Sequence, residues 1–223
     1  MNHPRAILVL LAVFFGTISS PVNAQINLKS GYSLSFLHDD AVDYAIDRAN
    51  ALKTYGKEFH DLRWVHGFEA GLRFKAGIHA LEVSYLGGYQ RLRATFTNPA
   101  GGDDLTDKIK FDVHGASIGY QLSRDFFGAG FDLQYQWYVT RGELKSPDRG
   151  FKDSQGILAK QVYIMLILEG AGSSSMAIKP YYILPNKAYD ATELNQFFGV
   201  KDGPEKDKWN RFGISIMFYN GAK

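Results

Sequence analysis

The segment RFGISIMFY, which ends at Tyr219, alternates strictly between two kinds of side chain. Its even-numbered positions are bulky and apolar: Phe212, Ile214, Ile216 and Phe218. The odd-numbered positions hold Arg211 and small or adaptable residues, so a period of two places one set on each face of a β-strand. Only four residues follow, and we expect this strand to pair with the first strand of the chain. The segment therefore predicts a sheet that closes on itself, a β-barrel.

Residues 1–24 have the pattern of a secretory signal peptide that is removed on export. Arg5 supplies a positive end, 6–16 is an apolar core, and 22–24 (VNA) is a small-residue cleavage site. The apolar core has 11 residues, well short of the ~20 that a membrane-spanning helix requires. We therefore divide the chain into a cleaved signal peptide, 1–24, and a barrel domain, 25–223.

Seven further segments alternate in the same way as the last one. They lie near 25–37, 64–75, 80–96, 108–122, 131–140, 158–170 and 176–184. The connections alternate in length: long at 38–62, 97–107, 144–156 and 185–207, and short at 76–79, 123–128 and 171–175. Short turns on one side and long loops on the other are typical of outer-membrane barrels, and an even strand count returns both termini to the short-turn side. The sequence predicts an all-β fold, an eight-stranded antiparallel up-and-down transmembrane barrel with both mature termini in the periplasm.

Two strands contain predicted irregularities. In the fourth strand the apolar residues change phase beside Gly115, which predicts a β-bulge there. In the seventh strand Pro180 has no N–H to donate to the sheet, which predicts a local break in pairing.

Two of the long loops contain short predicted helices. In the first loop, apolar residues repeat at a spacing of three and four after Asp39 or Asp40, either of which can cap the helix. We expect this apolar stripe to dock on the rim of the barrel. In the last loop, Asp190 and Glu193 form a predicted capping box and Gly199 ends the helix.

Charged residues of both signs indicate which face of the barrel is inside. They lie on the polar faces of the strands and form a predicted lumen charge network: Arg211, Arg73, Lys29, Lys179, Glu69, Glu82, Asp132 and Glu169. Mixed signs in comparable numbers favour a packed interior of paired charges, whereas a soluble barrel would have its apolar face inside. We expect Arg211 to pair with one of the four carboxylates.

The opposite faces of the last and fifth strands are predicted to contact lipid. These residues are Phe212, Ile214, Ile216, Phe218, Phe131, Leu133, Tyr135 and Trp137. Trp64 and Trp209 stand at the long-loop ends of their strands and are predicted to lie in an aromatic belt at the membrane interface.

The last strand also resembles the C-terminal signature by which bacterial assembly machinery recognises outer-membrane barrels. Arg211, Gly213, Ile216 and Phe218 fill that pattern in order, although the tail 219–223 extends beyond it. The whole mature chain is similar to the small outer-membrane barrels of the Bacteroidota. The likeness rests on Tyr44 and Asn50 in the first loop, the run HGFEAGLRF at 66–74 and the run KPYY at 179–182. This resemblance implies the fold, the outer membrane and the barrel assembly machinery as a partner in biogenesis, and it adds little about activity.

The residues that could carry chemistry do not form a recognisable constellation. His38, Asp39, Asp40, His60 and Asp61 cluster in the first loop, but adjacent residues do not orient one another as a catalytic pair. His114 and Ser117 are three apart on a strand and face opposite sides unless a bulge intervenes. The loop acids Asp103, Asp104 and Asp107 lack the spacing of a calcium loop. With no phosphate loop, zinc motif or nucleotide fingerprint, we predict no catalytic residue, no metal and no cofactor.

These features favour a non-enzymatic outer-membrane barrel whose lumen is filled by side chains and whose long loops face a protein, lipid or glycan partner. The formal net charge of +2, with no basic block, argues against nucleic acid. One alternative is a lipid A-modifying enzyme of the acyltransferase or deacylase type. Another is a secreted soluble lipid-binding barrel. A sideways-opening apolar pocket ringed by His, Ser and Asp would favour the enzyme.

Overall fold

The computed structural model describes residues 24–37, 39–52, 55–145, 148–169 and 174–220. Within them, long antiparallel strands enclose the barrel: β1 (Gln25–Leu37), β2 (Trp64–Ala76), β3 (His79–Phe96), β4 (Leu105–Arg124), β5 (Phe127–Lys145), β6 (Asp148–Glu169), β7 (Ser174–Pro185) and β10 (Arg211–Asn220). Two-residue strands, β8 (Tyr189–Asp190) and β9 (Lys206–Asp207), pair in the last loop. The helices are α1 (Asp40–Leu52) and α2 (Thr192–Phe198).

The sheet closes between the first and the last strand, as predicted, because β1 pairs with β10 from Leu37 opposite Arg211 to Leu28 opposite Asn220. Following paired residues once around the barrel from Leu37 returns to Asn27 on the same strand, ten residues earlier. Such a stagger requires the strands to tilt by about 35–45° to the barrel axis.

The predicted bulge at Gly115 is wrong. Gly115 keeps its place in both ladders, opposite Leu86 on β3 and Gln136 on β5. The apolar residues change face because the upper part of β4 stands beside the loops, whereas its lower part belongs to the apolar outer surface of the barrel. Ile109 points inward beneath the loops, whereas Ile118 points outward further down the strand.

The predicted long loop at 144–156 is also wrong, because β5 and β6 continue as a paired hairpin to Lys145 opposite Asp148. The outward residues of this hairpin are polar and most of the inward residues are only half-buried, so the segment lacks the apolar alternation of the other strands and resembles a loop in the sequence. The predicted break at Pro180 is confirmed, since the ladder between β6 and β7 skips from Tyr163–Tyr181 to Leu166–Ile178.

The helices agree in part with the predictions from the sequence. Asp39 caps α1, accepting hydrogen bonds from the backbone N–H groups of Ala41 and Val42 at 2.9 and 3.0 Å. The capping box in the last loop is wrong: Asp190 accepts from Thr192 instead, although Gly199 ends α2 in the left-handed conformation as predicted. No helix among the described residues is long and apolar enough to cross a membrane. The predicted signal peptide lies outside the described residues except for Ala24.

Candidate functional site

The outer face of the barrel is apolar. The eight side chains predicted to contact lipid all lie on it and are 43–59% exposed: Phe131, Leu133, Tyr135, Trp137, Phe212, Ile214, Ile216 and Phe218. Trp64 lies on the same surface, with its ring edge-on to Phe36 at 5.3 Å between centroids. Lys160 is an exposed cation on this face, opposite Leu133 and Leu184.

Outward-facing histidines have tyrosine partners on the neighbouring strand. The Nδ1 atom of His66 lies 2.5 Å from the hydroxyl of Tyr32, and that of His114 lies 2.8 Å from Tyr85. In each pair the tyrosine hydroxyl is the hydrogen-bond partner of the imidazole nitrogen. His114 therefore has a structural role, and Ser117 points to the opposite side, into the lumen.

The lumen charges meet in one cluster near the middle of the barrel. Lys29 Nζ lies 2.5 Å from both Glu69 Oε1 and Glu82 Oε2. Lys179 Nζ lies 3.2 Å from Glu69 Oε2 and 3.8 Å from Asp132 Oδ2. All five side chains are at most 5% exposed. A buried charge is tolerated only when it is paired, so each lysine is held between two carboxylates.

Arg73 completes this cluster, giving three cations against three carboxylates. Its Nε lies 3.7 Å from Glu82, and its guanidinium donates to Ser123 and packs over the ring of Tyr219 at 4.7 Å. With its amide oxygen toward Arg73, Gln121 accepts at 2.7 Å and donates to Glu82 at 2.9 Å. The charges therefore balance within the cluster.

Small residues make room for this interior. Gly119 lies opposite Asp132, and a Cβ at residue 119 would collide with the Asp132 carboxylate. Gly213, part of the resemblance to the assembly signature, is covered in the same way by the ring of Tyr181. Substitution of either glycine by alanine would therefore force neighbouring side chains to move.

Arg211 is buried in the lumen, and among the side chains that the structure describes no carboxylate pairs with it, so the expected pairing with Glu69, Glu82 or Asp132 is wrong. Its guanidinium donates to the amide oxygen of Gln136 and, at 3.1 Å, to the hydroxyl of Tyr138. Gln134 and Gln161 continue this amide layer. Arg211 stands on the other side of that layer from the charge cluster, and the side chain of Glu169 lies outside the described residues.

A cavity of about 50 Å³ remains beside Arg211, lined by Glu69, Gln134 and Gln136 among others. It has room for a few water molecules. Pockets that hold small-molecule ligands are roughly 300–1,000 Å³. This part of the lumen is therefore filled, with no space for a substrate.

The loop end of the barrel is closed by an apolar plug. Residues from both helices, the loops and the upper strands form one buried cluster, including Ile46, Leu62, Ile109, Leu194 and Phe198. The apolar stripe of α1 faces into it, which confirms the predicted docking on the barrel. Asn50 fixes the return of the first loop, because its amide donates to and accepts from the backbone of Phe59 at 3.0 Å.

Trp209 lies at the centre of this plug, and its predicted place in an outer aromatic belt is wrong. It is 2% exposed, stacks on Tyr189 with centroids 3.9 Å apart, and meets Tyr138 edge-on at 4.9 Å. The reason is its parity: Trp209 is two residues before Arg211, so it shares the inward face.

Asp39 brings an ionisable group to the edge of the plug. Burial raises the pKa of its carboxyl to about 7, and the charge of Asp207 acts in the same direction against the helix N–H groups. The Asp207 carboxylate itself accepts from the backbone N–H of Asp40 at 2.9 Å. Asp39 is thus a helix cap that titrates near neutral pH.

The remaining acidic candidates have structural or exposed positions. Asp107 is buried and accepts from the Tyr55 hydroxyl and the Lys145 N–H, while Asp61 pairs with Arg63 at 2.5 Å. Asp103 and Asp104 are exposed at a loop tip. No group of three or more metal-ligating side chains occurs in the part of the chain that the structure describes, and His38 lies outside it.

A closed eight-stranded barrel with apolar side chains outside and paired charges inside is a transmembrane β-barrel. No family model and no curated protein matches the chain. Among solved structures it is similar to Ail, the attachment invasion locus protein of Yersinia pestis, in complex with the heparin analogue sucrose octasulfate, at 11% identity and a TM-score of 0.47 over 88% of this chain and 97% of that one. Neisserial surface protein A is similar at 8% identity and a TM-score of 0.44 over 89% and 99%. The resemblance to Bacteroidota barrels stays a prediction.

Proposed function

We propose that this protein is a non-enzymatic integral barrel of the bacterial outer membrane, which holds a folded loop platform at the cell surface. The observation that carries the proposal is the filled interior. The charge cluster, the amide layer and the apolar plug follow one another along the lumen and leave a cavity of about 50 Å³ beside Arg211.

The proposed orientation follows from the connections. The two-residue turns between β2 and β3 and between β4 and β5 lie on the side where β1 begins and β10 ends. We assign this side to the periplasm and the plug to the cell exterior. The proposal includes export through the cleaved peptide 1–24 and recognition of the last strand by the barrel assembly machinery.

The lipid A-modifying alternative requires a pocket that reaches lipid through the wall. The buried cations of the lumen are instead held by carboxylates, amides and hydroxyls. The soluble alternative requires the apolar face inside, and both the lipid-facing strands and the lumen charges have the opposite arrangement.

Four measurements test the proposal. The full-length protein should fractionate with outer membranes and change mobility on heating, and the purified barrel should add no steady conductance to a planar bilayer. A lipid A mass spectrum from cells lacking the protein should be unchanged. A soluble periplasmic protein, a stable open channel or a lost lipid A species would each overturn it.

A further inference from the structure

The outer surface of β3 to β6 has a concentration of positive charge directly above the apolar band. We call this surface the basic patch. It consists of six outward-facing cations, all exposed or half-exposed: Arg91, Arg93, Lys108, Lys110, Arg141 and Lys152.

The register places these cations side by side. Arg91 lies opposite Lys110, Lys110 opposite Arg141, and Arg141 opposite Lys152, so one row of four cations crosses four strands. Arg93 lies opposite Lys108 in a parallel row. Like charges directly opposite one another destabilise a sheet. The arrangement therefore has a cost that a bound anion would offset.

Carboxylates on the same surface neutralise little of this charge. Asp112 lies 3.4 Å from Arg141. Glu143 stands opposite Lys108 in the register, but its carboxylate turns to Lys145, outside the patch, at 2.5 Å. Among the described residues, no carboxylate oxygen comes within 4.0 Å of Lys108 or Lys110. The same holds, within the described part of the chain, for Arg91, Arg93 and Lys152, so five of the six cations have no carboxylate partner.

The height of the basic patch on the barrel corresponds to the headgroup layer of a membrane. On β5 the outward apolar residues end with Trp137 and Val139, and Arg141 is the next outward residue. On β3, Tyr89 precedes Arg91 in the same way. Aromatic side chains mark the membrane–water interface. With strands tilted near 40°, the six cations lie roughly 5–15 Å above this aromatic level, where lipid headgroups carry their phosphates.

The geometry also suits a phosphate. Arg91, Arg93, Lys108 and Lys110 line a hollow of about 80 Å³. Guanidinium groups bind phosphate oxygens in pairs, and lysines add positive charge. On the opposite wall, the upper outward positions are occupied by apolar residues such as Phe36, Trp64 and Phe212. The six cations of the basic patch thus all lie on one side of the barrel.

We propose that the basic patch binds the phosphate groups of a phosphorylated glycolipid of the outer leaflet, holding this lipid against β3 to β6. The inference rests on the proposed outer-membrane function, because it places β3 to β6 with their upper ends outward. It predicts a fixed neighbour for one face of the barrel and a preferred orientation in the membrane.

The test compares two triple variants of the full-length protein, folded in detergent micelles. One is Arg91→Gln, Lys110→Gln, Arg141→Gln; the other is Lys187→Gln, Lys201→Gln, Lys208→Gln, which removes the same charge from exposed positions of the last loop. Native mass spectrometry measures binding of bis-phosphorylated lipid A and of the same lipid after dephosphorylation. We expect the patch variant to bind the phosphorylated lipid about tenfold more weakly than wild type, and the loop variant to bind it unchanged.

Equal binding by wild type and patch variant, or equal binding of both lipid forms by wild type, would overturn the proposal. Stronger competition by a soluble sulfated polysaccharide than by lipid A would assign the patch to a soluble polyanion and also overturn it. Heat-dependent mobility and membrane fractionation of the same proteins report separately on the barrel. Loss of those signals in wild type would refute the proposed function rather than the lipid site.

Discussion

The middle and the upper end of the lumen are filled in opposite ways, although the same strands surround both. In the middle, Lys29 and Lys179 are held among carboxylates. Above them, Trp209 and the apolar side of α1 form a core like that of a soluble domain. Where the outer face is apolar, the alternation of side chains along each strand places the polar and charged residues in the lumen. Above the band the outer face becomes polar, and the apolar residues move inward. The character of the outer face at each height of the barrel therefore determines whether charged or apolar side chains fill the lumen.

The largest expected effect comes from unbalancing the charge cluster. Glu69→Gln would leave Lys29 and Lys179 without the carboxylate they share, at a cost of about 3–5 kcal/mol in the free energy of unfolding. Urea titration of the barrel in lipid vesicles measures it. The exposed Glu205→Gln is the matched control, expected within about 0.5 kcal/mol of wild type. Equal midpoints for both variants would show that the cluster is not a balanced unit.

Removing the centre of the plug should have a more local effect. Trp209→Ala takes away a buried ring that contacts Tyr138 and Tyr189, at a cost of about 3 kcal/mol. We expect proteolysis of the long loops to accelerate while the barrel keeps its heat-dependent mobility. Trp64→Ala, on the outer face, should leave the loops protected. Similar loop cleavage in both variants would contradict the inward position of Trp209.

A charge on the outer face should be sensitive to depth. Ile216→Arg places a cation well inside the apolar band and should cost ~2–3 kcal/mol of folding free energy. Ile78→Arg introduces the same side chain at a turn near the edge, for ~0–1 kcal/mol. Folded fractions after assembly into vesicles give the comparison. Equal fractions would place the band elsewhere.

The smallest effect concerns pH at the edge of the plug. The pKa of Asp39 is about 7 in the folded chain, above its ordinary value of 3.8, so its stabilising contribution is complete below about pH 4 and is lost as pH rises through 7. Hydrogen exchange of α1, corrected for intrinsic rates, should therefore be slower at pH 5 than at pH 8. Asp39→Asn keeps the cap acceptor and should remove this dependence. A variant that retains the wild-type pH profile would assign the effect to another group.

The strands could be predicted because a period of two is a local property, and the bounds of β1 match its alternating run. The position of the membrane edge is not local. The apolar residues of β4 change face at that edge, which resembles a bulge at Gly115 in the sequence, and the hairpin above it resembles a polar loop.

The partners of the lumen residues were beyond the sequence for a different reason. Arg211 on β10 reaches Gln136 and Tyr138 on β5, across the lumen and not along the sheet. Which side chains meet there depends on the ten-residue stagger, which no single strand encodes. Trp209 is the exception, because its parity with Arg211 already pointed inward.

The two loops that build most of the plug flank the seam between the first and last strands. Asp40 N–H bonds to Asp207, and the rings of Phe59 and Phe198 lie 6.0 Å apart, so the plug joins segments from opposite ends of the chain. These contacts are among the most distant in sequence, and they can form only when β1 and β10 are brought together. The plug therefore covers the line along which β1 and β10 pair and links the loops on either side of it. Formation of the plug requires the cylinder to be closed, so burial of Trp209 reports that the first and last strands have paired.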